Sequence, residues 1–242
     1  QTLASSGLRV RVPMVYERLV TRRVLGMEFV DGHKLAEMRT VGGFSDAQVR
    51  EVVTTLVRYY GVTMAGEIFN VDPHPGNLLV QHDGTLVALD CGQAHRLTPP
   101  ERVGHARLFA SILMEDFTGL AAACAALGSP LDDLALAPNS TPATMIGAMR
   151  FILRDSKETR LAAKADFRLL EQTLGGLSKE VASIQGGGSD IFRGALLPFS
   201  KTVALLFEVS TLMRVSLPLL STLAADGYRY MLDERGFAHV PL

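Results

Sequence analysis

The stretch Val-Asp-Pro-His-Pro-Gly-Asn, residues 71 to 77, constrains this 242-residue chain more than any other. It holds two prolines and a glycine, all turn formers, so it reads as a loop from Asn70 to Asn77. Upstream, Ser45 stands as a helix N-cap with Asp46 and Gln48 in the first turn behind it. From Val49 onward, Val52, Val53, Leu56, Val57, Tyr60 and Met64 recur at helical spacing. That predicts a helix ending near Gly66 to Phe69. Downstream, the apolar runs Leu78 to Val80 and Leu86 to Leu89 flank Asp83-Gly84, a strong hairpin signal. The loop therefore joins a long helix to a hairpin, and Asp90-Cys91-Gly92 closes the second strand.

In a hairpin the start of the first strand lies beside the end of the second. Asp72, Asn77 and Asp90 are therefore expected at one rim. Phosphoryl transfer needs such a set: one carboxylate to orient or deprotonate the attacking hydroxyl, and a second carboxylate with an amide oxygen to hold magnesium on the phosphates. Magnesium prefers hard oxygen ligands and keeps several waters, so one Asp and one Asn suffice on the protein side. The five-residue step from Asp72 to Asn77 matches the Asp-to-Asn spacing of a kinase catalytic loop. Asp90-x-Gly92 stands where a kinase carries its metal-binding Asp-Phe-Gly. The competing reading is structural. Asp72-Pro73 and Pro75-Gly76 form turns in any protein, Asn77 tolerates left-handed dihedrals, and Asp90 before Gly92 can simply end a strand.

Arg22 to Phe29 reads as a strand ending near the turn pair Asp31-Gly32. After Gly92 the strand signals stop, and from about Pro99 the pattern is helical. Thr98-Pro99-Pro100-Glu101 is a helix start, with Pro early and Glu in the first turn. Further helices are expected over Arg107 to Met114, Phe117 to Leu127, Thr144 to Leu153, Asp166 to Ile184 and Ala195 to Ala225. Breaks fall at Gly128-Ser129-Pro130, Ala137-Pro138-Asn139 and Gly186-Gly187-Gly188, the last a flexible-linker candidate. The apolar stretch Ala195 to Leu223 is long enough to consider as a membrane span. Lys201, Glu208 and Arg214 interrupt it, and three charges are costly in lipid, so a buried helix is the better reading. The expected organisation is residues 1–98 carrying strand, helix and hairpin, followed by a helical remainder at 99–242.

Composition narrows the function classes. Hydrophobic residues make up 48% and charged residues 20%, with a formal net charge of −1. That is a folded chain without the broad positive field of a nucleic-acid binder. Two cysteines, Cys91 and Cys124, make no disulfide framework and suit a reducing, intracellular compartment. No signal peptide opens the chain. His74, His82, Cys91 and His95 lie close in sequence but lack the paired spacing of a zinc site. His74 is expected to brace the loop by a hydrogen bond, and Cys91 to fill an apolar pocket as a small hydrophobe. Arg22-Arg23 is too small a patch to claim a phosphate or membrane site, and Arg150 to Lys179 reads as a solvated helix face.

On these residues the chain resembles the UbiB/AarF-domain family of atypical kinases, linked to coenzyme Q biosynthesis. Asp72-Pro-His-Pro-Gly-Asn77-Leu-Leu-Val looks like that family's catalytic-loop signature. The likeness runs on through Asp83-Gly84-Thr-Leu-Val-Ala-Leu-Asp90-Cys-Gly92-Gln93, and upstream Arg22-Arg-Val-Leu-Gly-Met-Glu28-Phe-Val-Asp31-Gly32 looks like the strand and hinge before the C-lobe. It is sharp over Arg22 to Leu97 and diffuse beyond. The resemblance implies an α+β, mostly α, protein-kinase-like C-lobe with a short β-hairpin and a helical bundle, the N-lobe largely missing. It implies ATP and Mg²⁺ as cofactors, Asp72 as the catalytic-loop aspartate, Asn77 and Asp90 as metal ligands, and Glu28 at the hinge near the adenine; a bare strand position for Glu28 is the alternative. It also implies isoprenoid lipid or quinone-like partners and a membrane surface in a bacterium, mitochondrion or plastid. Two departures stand out. Asn70-Val71 replaces the family's His-Ala, and Cys91 replaces the Phe of Asp-Phe-Gly. A kinase-derived, non-catalytic module binding nucleotide or lipid is therefore the second reading, and a kinase-like phosphotransferase acting on a small molecule the third.

Overall fold

The computed structural model describes residues 6–41, 43–71, 74–130, 146–147, 150 and 196–225. Asp72, Pro73, the 137–139 break, the glycine run 186–188, the helix expected over 166–184 and most of that over 144–153 lie outside the described residues.

The long helix forms as the pattern requires. Helix α1 spans Asp46–Ala65 and opens with a capping box, in which the Ser45 hydroxyl accepts from the Gln48 N–H and the Gln48 side chain accepts from the Ser45 N–H. All six apolar residues from Val52 to Met64 that set its period are buried. The helix ends at Gly66, inside the expected window.

Beyond the loop, β6 (Leu78–Val80) and β7 (Leu86–Ala88) pair antiparallel, with Leu78 opposite Ala88. Gly84 turns the hairpin at φ 83°, a left-handed value that favours glycine. The Asp83 carboxylate accepts from both the N–H and the hydroxyl of Thr85. Two short strands extend this hairpin into a four-stranded sheet of order β1-β7-β6-β4: β1 (Val10–Arg11), parallel to β7, and β4 (His33–Lys34), antiparallel to β6.

The strand expected over Arg22 to Phe29 shortens to β3 (Leu25–Met27), which pairs antiparallel with β2 (Val15–Val20), an unpredicted strand. Strand signals do not stop at Gly92. Ala94–Arg96 forms β8, antiparallel to β5 (Ile68–Asn70). All three β8 residues are exposed, so it shows no apolar alternation, and only its pairing with β5 makes it a strand.

Helix α2 (Pro99–Met114) begins with a second capping box, Thr98 with Glu101, and α3 (Phe117–Ala126) with an Asp116 cap on the Gly119 N–H. The helix expected over Ala195 to Ala225 is broken. Helix α4 runs Leu196–Leu212 and stops in a Schellman arrangement. Arg214 takes a left-handed φ of 52°, its N–H bonds to the Thr211 carbonyl, and the Val215 N–H reaches back to Ser210. Pro218 follows, and residues 219–225 are helical again. Among the described residues no helix is long and apolar enough to cross a membrane. One apolar core unites these elements, from Leu35 and Met38 through α1, β5 to β7, α2 and α3 to Phe199, Val203, Leu206 and Leu223.

Candidate active site

The loop is fastened at its entrance and exit to the segment that carries Asp90. At the exit, Pro75–Asn77 makes one 3₁₀ turn, in which the Asn77 N–H bonds to the His74 carbonyl. The Asn77 carbonyl then accepts from the Leu89 N–H at 2.9 Å, one step past the last ladder pair. At the entrance, the Asn70 side-chain amide donates to the Asp90 carbonyl at 3.1 Å, and the Val71 N–H to the Gln93 carbonyl at 3.3 Å. Asn70 and Asp90 are twenty residues apart in sequence, and pairing of β5 with β8 and of β6 with β7 brings them together.

Asn77 is half-buried and Asp90 exposed, so neither is turned into the core. One Asp90 oxygen, Oδ1, accepts the Gly92 N–H at 2.7 Å, which fixes the carboxylate. The donor set at this rim is a carboxylate and an amide on adjoining strand ends, hard oxygen chemistry that fits a magnesium ion keeping several waters. Among the described residues no three His, Cys, Asp or Glu side chains cluster as a metal site.

His74 braces the loop as expected, its Nδ1 accepting the Gly76 N–H at 3.1 Å. His82 instead packs edge-on to His33, with centroids 5.3 Å apart. Cys91 corrects the expectation that it fills an apolar pocket: it is exposed. Its thiol is nonetheless pushed up, first by partial desolvation and second by the Asp90 charge, so it stays protonated near neutrality. Tyr59 lies close enough for the Cys91 charge to reach it. Burial, with a smaller push from Cys91, takes its phenol up to about 12.

Glu28 sits half-buried just past β3. Its Oε2 accepts from Arg11 Nη1 at 2.9 Å and from the Met14 N–H at 3.2 Å. The Arg11 hydrogen bond first and the Met14 N–H second hold its carboxyl below the usual glutamate value. Arg11 also donates from Nε to the Gln81 side chain at 3.1 Å, so the Glu28 segment is tied to the β6–β7 turn. Glu28 does not reach the Asn77–Asp90 rim through any of these bonds.

Residues that sequence reading missed are the ones that hold the loop. Asn70 is one. The other is Thr202 of α4, fully buried, whose hydroxyl lies 3.2 Å from the Val71 carbonyl and 3.0 Å from the Pro198 carbonyl. A partner 131 residues away leaves no local signal.

A helical lobe whose small hairpin displays an Asp-x-Gly beside a proline-rich Asn loop defines a kinase-like class of protein. The sequence profile of the ABC1 atypical kinase-like domain matches residues 1–124, just over half of the 242 residues. The chain belongs to that family. It is similar to an aarF domain-containing protein kinase of the chloroplast of Arabidopsis thaliana, 29% identical over 134 residues, which are 55% of this chain and 25% of the relative. It is likewise similar to AarF domain-containing protein kinase 1 of Mus musculus, 32% identical over 117 residues, 46% of this chain and 22% of the relative. The matched stretches thus span a quarter or less of these relatives' length. In three dimensions the fold is similar to that of a Mycobacterium tuberculosis protein solved in complex with erythromycin, with TM-score 0.54 at 15% identity, covering 91% of this chain and 54% of that one.

Proposed function

We propose that this chain carries the magnesium- and phosphate-binding part of an ATP-dependent atypical kinase or ATPase. The Asn77 side-chain oxygen and the Asp90 carboxylate hold Mg²⁺ against the nucleotide phosphates. Asp72, the catalytic-loop aspartate by sequence, orients or deprotonates the attacking hydroxyl. Nucleotide meets the backbone at the end of β3 near Glu28, whose own carboxylate is engaged by Arg11. One observation supports the reading. The Asn77 backbone is bonded to the residue before an exposed, backbone-fixed Asp90, so the two residues stand on neighbouring strand ends, as a shared ion would require.

The finer part of the proposal follows from family membership. It comprises a link to ubiquinone or other isoprenoid quinone synthesis, a lipid or quinone precursor as partner, and a place at the membrane periphery of a bacterium or organelle. Three relatives carry chloroplastic names, which supports an organellar setting for part of the family.

A second reading, a regulatory module that binds nucleotide or lipid without turnover, is favoured by Cys91. In kinases the middle residue of Asp-x-Gly packs as a Phe and sets the active state. Here that position is exposed and small.

Thermal unfolding with ATP, with and without Mg²⁺, tests the site. At a hundredfold excess over Kd a ligand adds about 2.7 kcal/mol, or roughly 5 °C or more in Tm for a chain of this size. That rise should need Mg²⁺ and vanish in Asp90→Asn. A magnesium-dependent rise of equal size in Asp90→Asn contradicts the ligand assignment. Binding without hydrolysis selects the second reading.

A further inference from the structure

We infer that Thr202, on a helix beyond the residues matched to the family, is a positioning residue for the loop. It rests on the reading above and adds to it an assignment outside the 1–124 region.

The observations are local and independent of that reading. Thr202 is fully buried in the first half of α4. A buried hydroxyl is held by the hydrogen bonds it makes, and here two carbonyls lie within reach of one proton. Pro198, four residues back in the helix, is the ordinary acceptor for a helical threonine. The Val71 carbonyl is the long-range one, at 3.2 Å. Val71 is itself buried, and its N–H is bonded on the other side to the Gln93 carbonyl. Val71, where the loop leaves β5, is thus gripped on both sides, its N–H by the segment after Asp90 and its carbonyl by α4. Without the Thr202 hydroxyl, the Val71 carbonyl would stay buried against an apolar side chain, and the loop entrance could satisfy it only by moving.

Ser210 supplies a control on the same helix. It is equally buried, and its hydroxyl has no hydrogen-bond partner among the described residues. Its loss removes a hydroxyl from α4 without touching the loop.

The experiment measures Mg²⁺-dependent binding of a non-hydrolysable ATP analogue by calorimetry on the whole chain, alongside thermal unfolding in the absence of ligand. Thr202→Val keeps the shape and loses the donor, Thr202→Ser keeps the donor, and Ser210→Ala is the control. The expected result is an affinity about three- to tenfold weaker in Thr202→Val, the fold-change of one hydrogen bond. Thr202→Ser should restore it and Ser210→Ala leave it unchanged. Wild-type affinity in Thr202→Val overturns the inference and leaves the proposed function standing. A weakening that follows the fall in Tm and is not rescued by Ser makes Thr202 merely structural, and overturns the inference too. No Mg²⁺-dependent binding by the wild-type chain overturns the proposed function, and the positioning role with it.

Discussion

That Asn77 and Asp90 lie on neighbouring strand ends was legible because the Asp83-Gly84 turn fixes the hairpin between them. Few arrangements put an amide and a carboxylate on the two ends of one tight hairpin. Glu28 was less legible. Its sequence position reads equally as a hinge or a bare strand end, and its ion pair with Arg11, seventeen residues away, has no local mark. That pair has a pH consequence. The folded chain holds the Glu28 carboxyl below its ordinary value, so the unfolded chain binds that proton more readily. The stability it contributes is present above the unfolded carboxyl's titration and is lost as pH falls through the folded one. Between about pH 5 and pH 3, Glu28→Gln should therefore lose stability less steeply than the wild type in urea titrations, since the substituted side chain no longer takes up a proton. Identical slopes would show that the ion pair holds nothing in solution. Cys91 was misread because a small side chain after a buried strand is ordinarily a core residue. At this strand end the backbone turns outward to Gly92, and the side chain goes with it.

At the scale of elements, α1, α2 and the β6–β7 hairpin could be read because their signals are local: two capping boxes, an apolar period and an Asp-Gly turn. Strand β8 could not, because nothing in Ala-His-Arg prefers a strand until β5 lies beside it. The break after α4 had a signal, Pro218 within the apolar run, which outweighs the hydropathy on which the single-helix expectation rested. This break lets 219–225 fold back onto α1. The contact is close: a Cβ on Gly61 would stand 2.8 Å from the Leu223 carbonyl oxygen and 3.2 Å from its Cα. Backbone cannot swing aside as a side chain can. Gly61→Ala should therefore destabilise the chain by about 1–3 kcal/mol through overpacking, against the roughly 1 kcal/mol that alanine ordinarily adds to a helix interior. Urea unfolding measures the balance. A variant more stable than wild type would mean that 219–225 does not pack on α1.

Over the whole molecule, the same buried core that carries α1 also seats α4, so the loop entrance at Val71 and the distant helix are one packed body. Part of the exposed apolar surface lies on the β2–β3 hairpin. Met14, Val24, Leu25 and Phe29, the last 90% exposed, cluster on and beside the β2–β3 hairpin. A two-stranded hairpin is marginal by itself in water. The chain spans only a quarter or less of the curated relatives it matches, and its activity is accordingly proposed at the level of a site. The helix-rich α+β character was readable at this scale from the helical spacing and the hairpin signal, and the kinase-like class from the family motif. How the loop entrance is held was not, since that depends on where α4 lands.

The central claim, that Asn77 and Asp90 share one divalent ion, is tested most directly by paramagnetic broadening. Trace Mn²⁺ is added to the isotope-labelled chain with ATP, and backbone amide signals are followed by NMR. The account predicts that Asn77, Asp90 and Gly92 broaden first and together, only when nucleotide is present, while Gly61 and Gly104 stay sharp. Broadening that centres elsewhere, on Glu67 or Glu115 for instance, or that reaches Asp90 without Asn77, would contradict it.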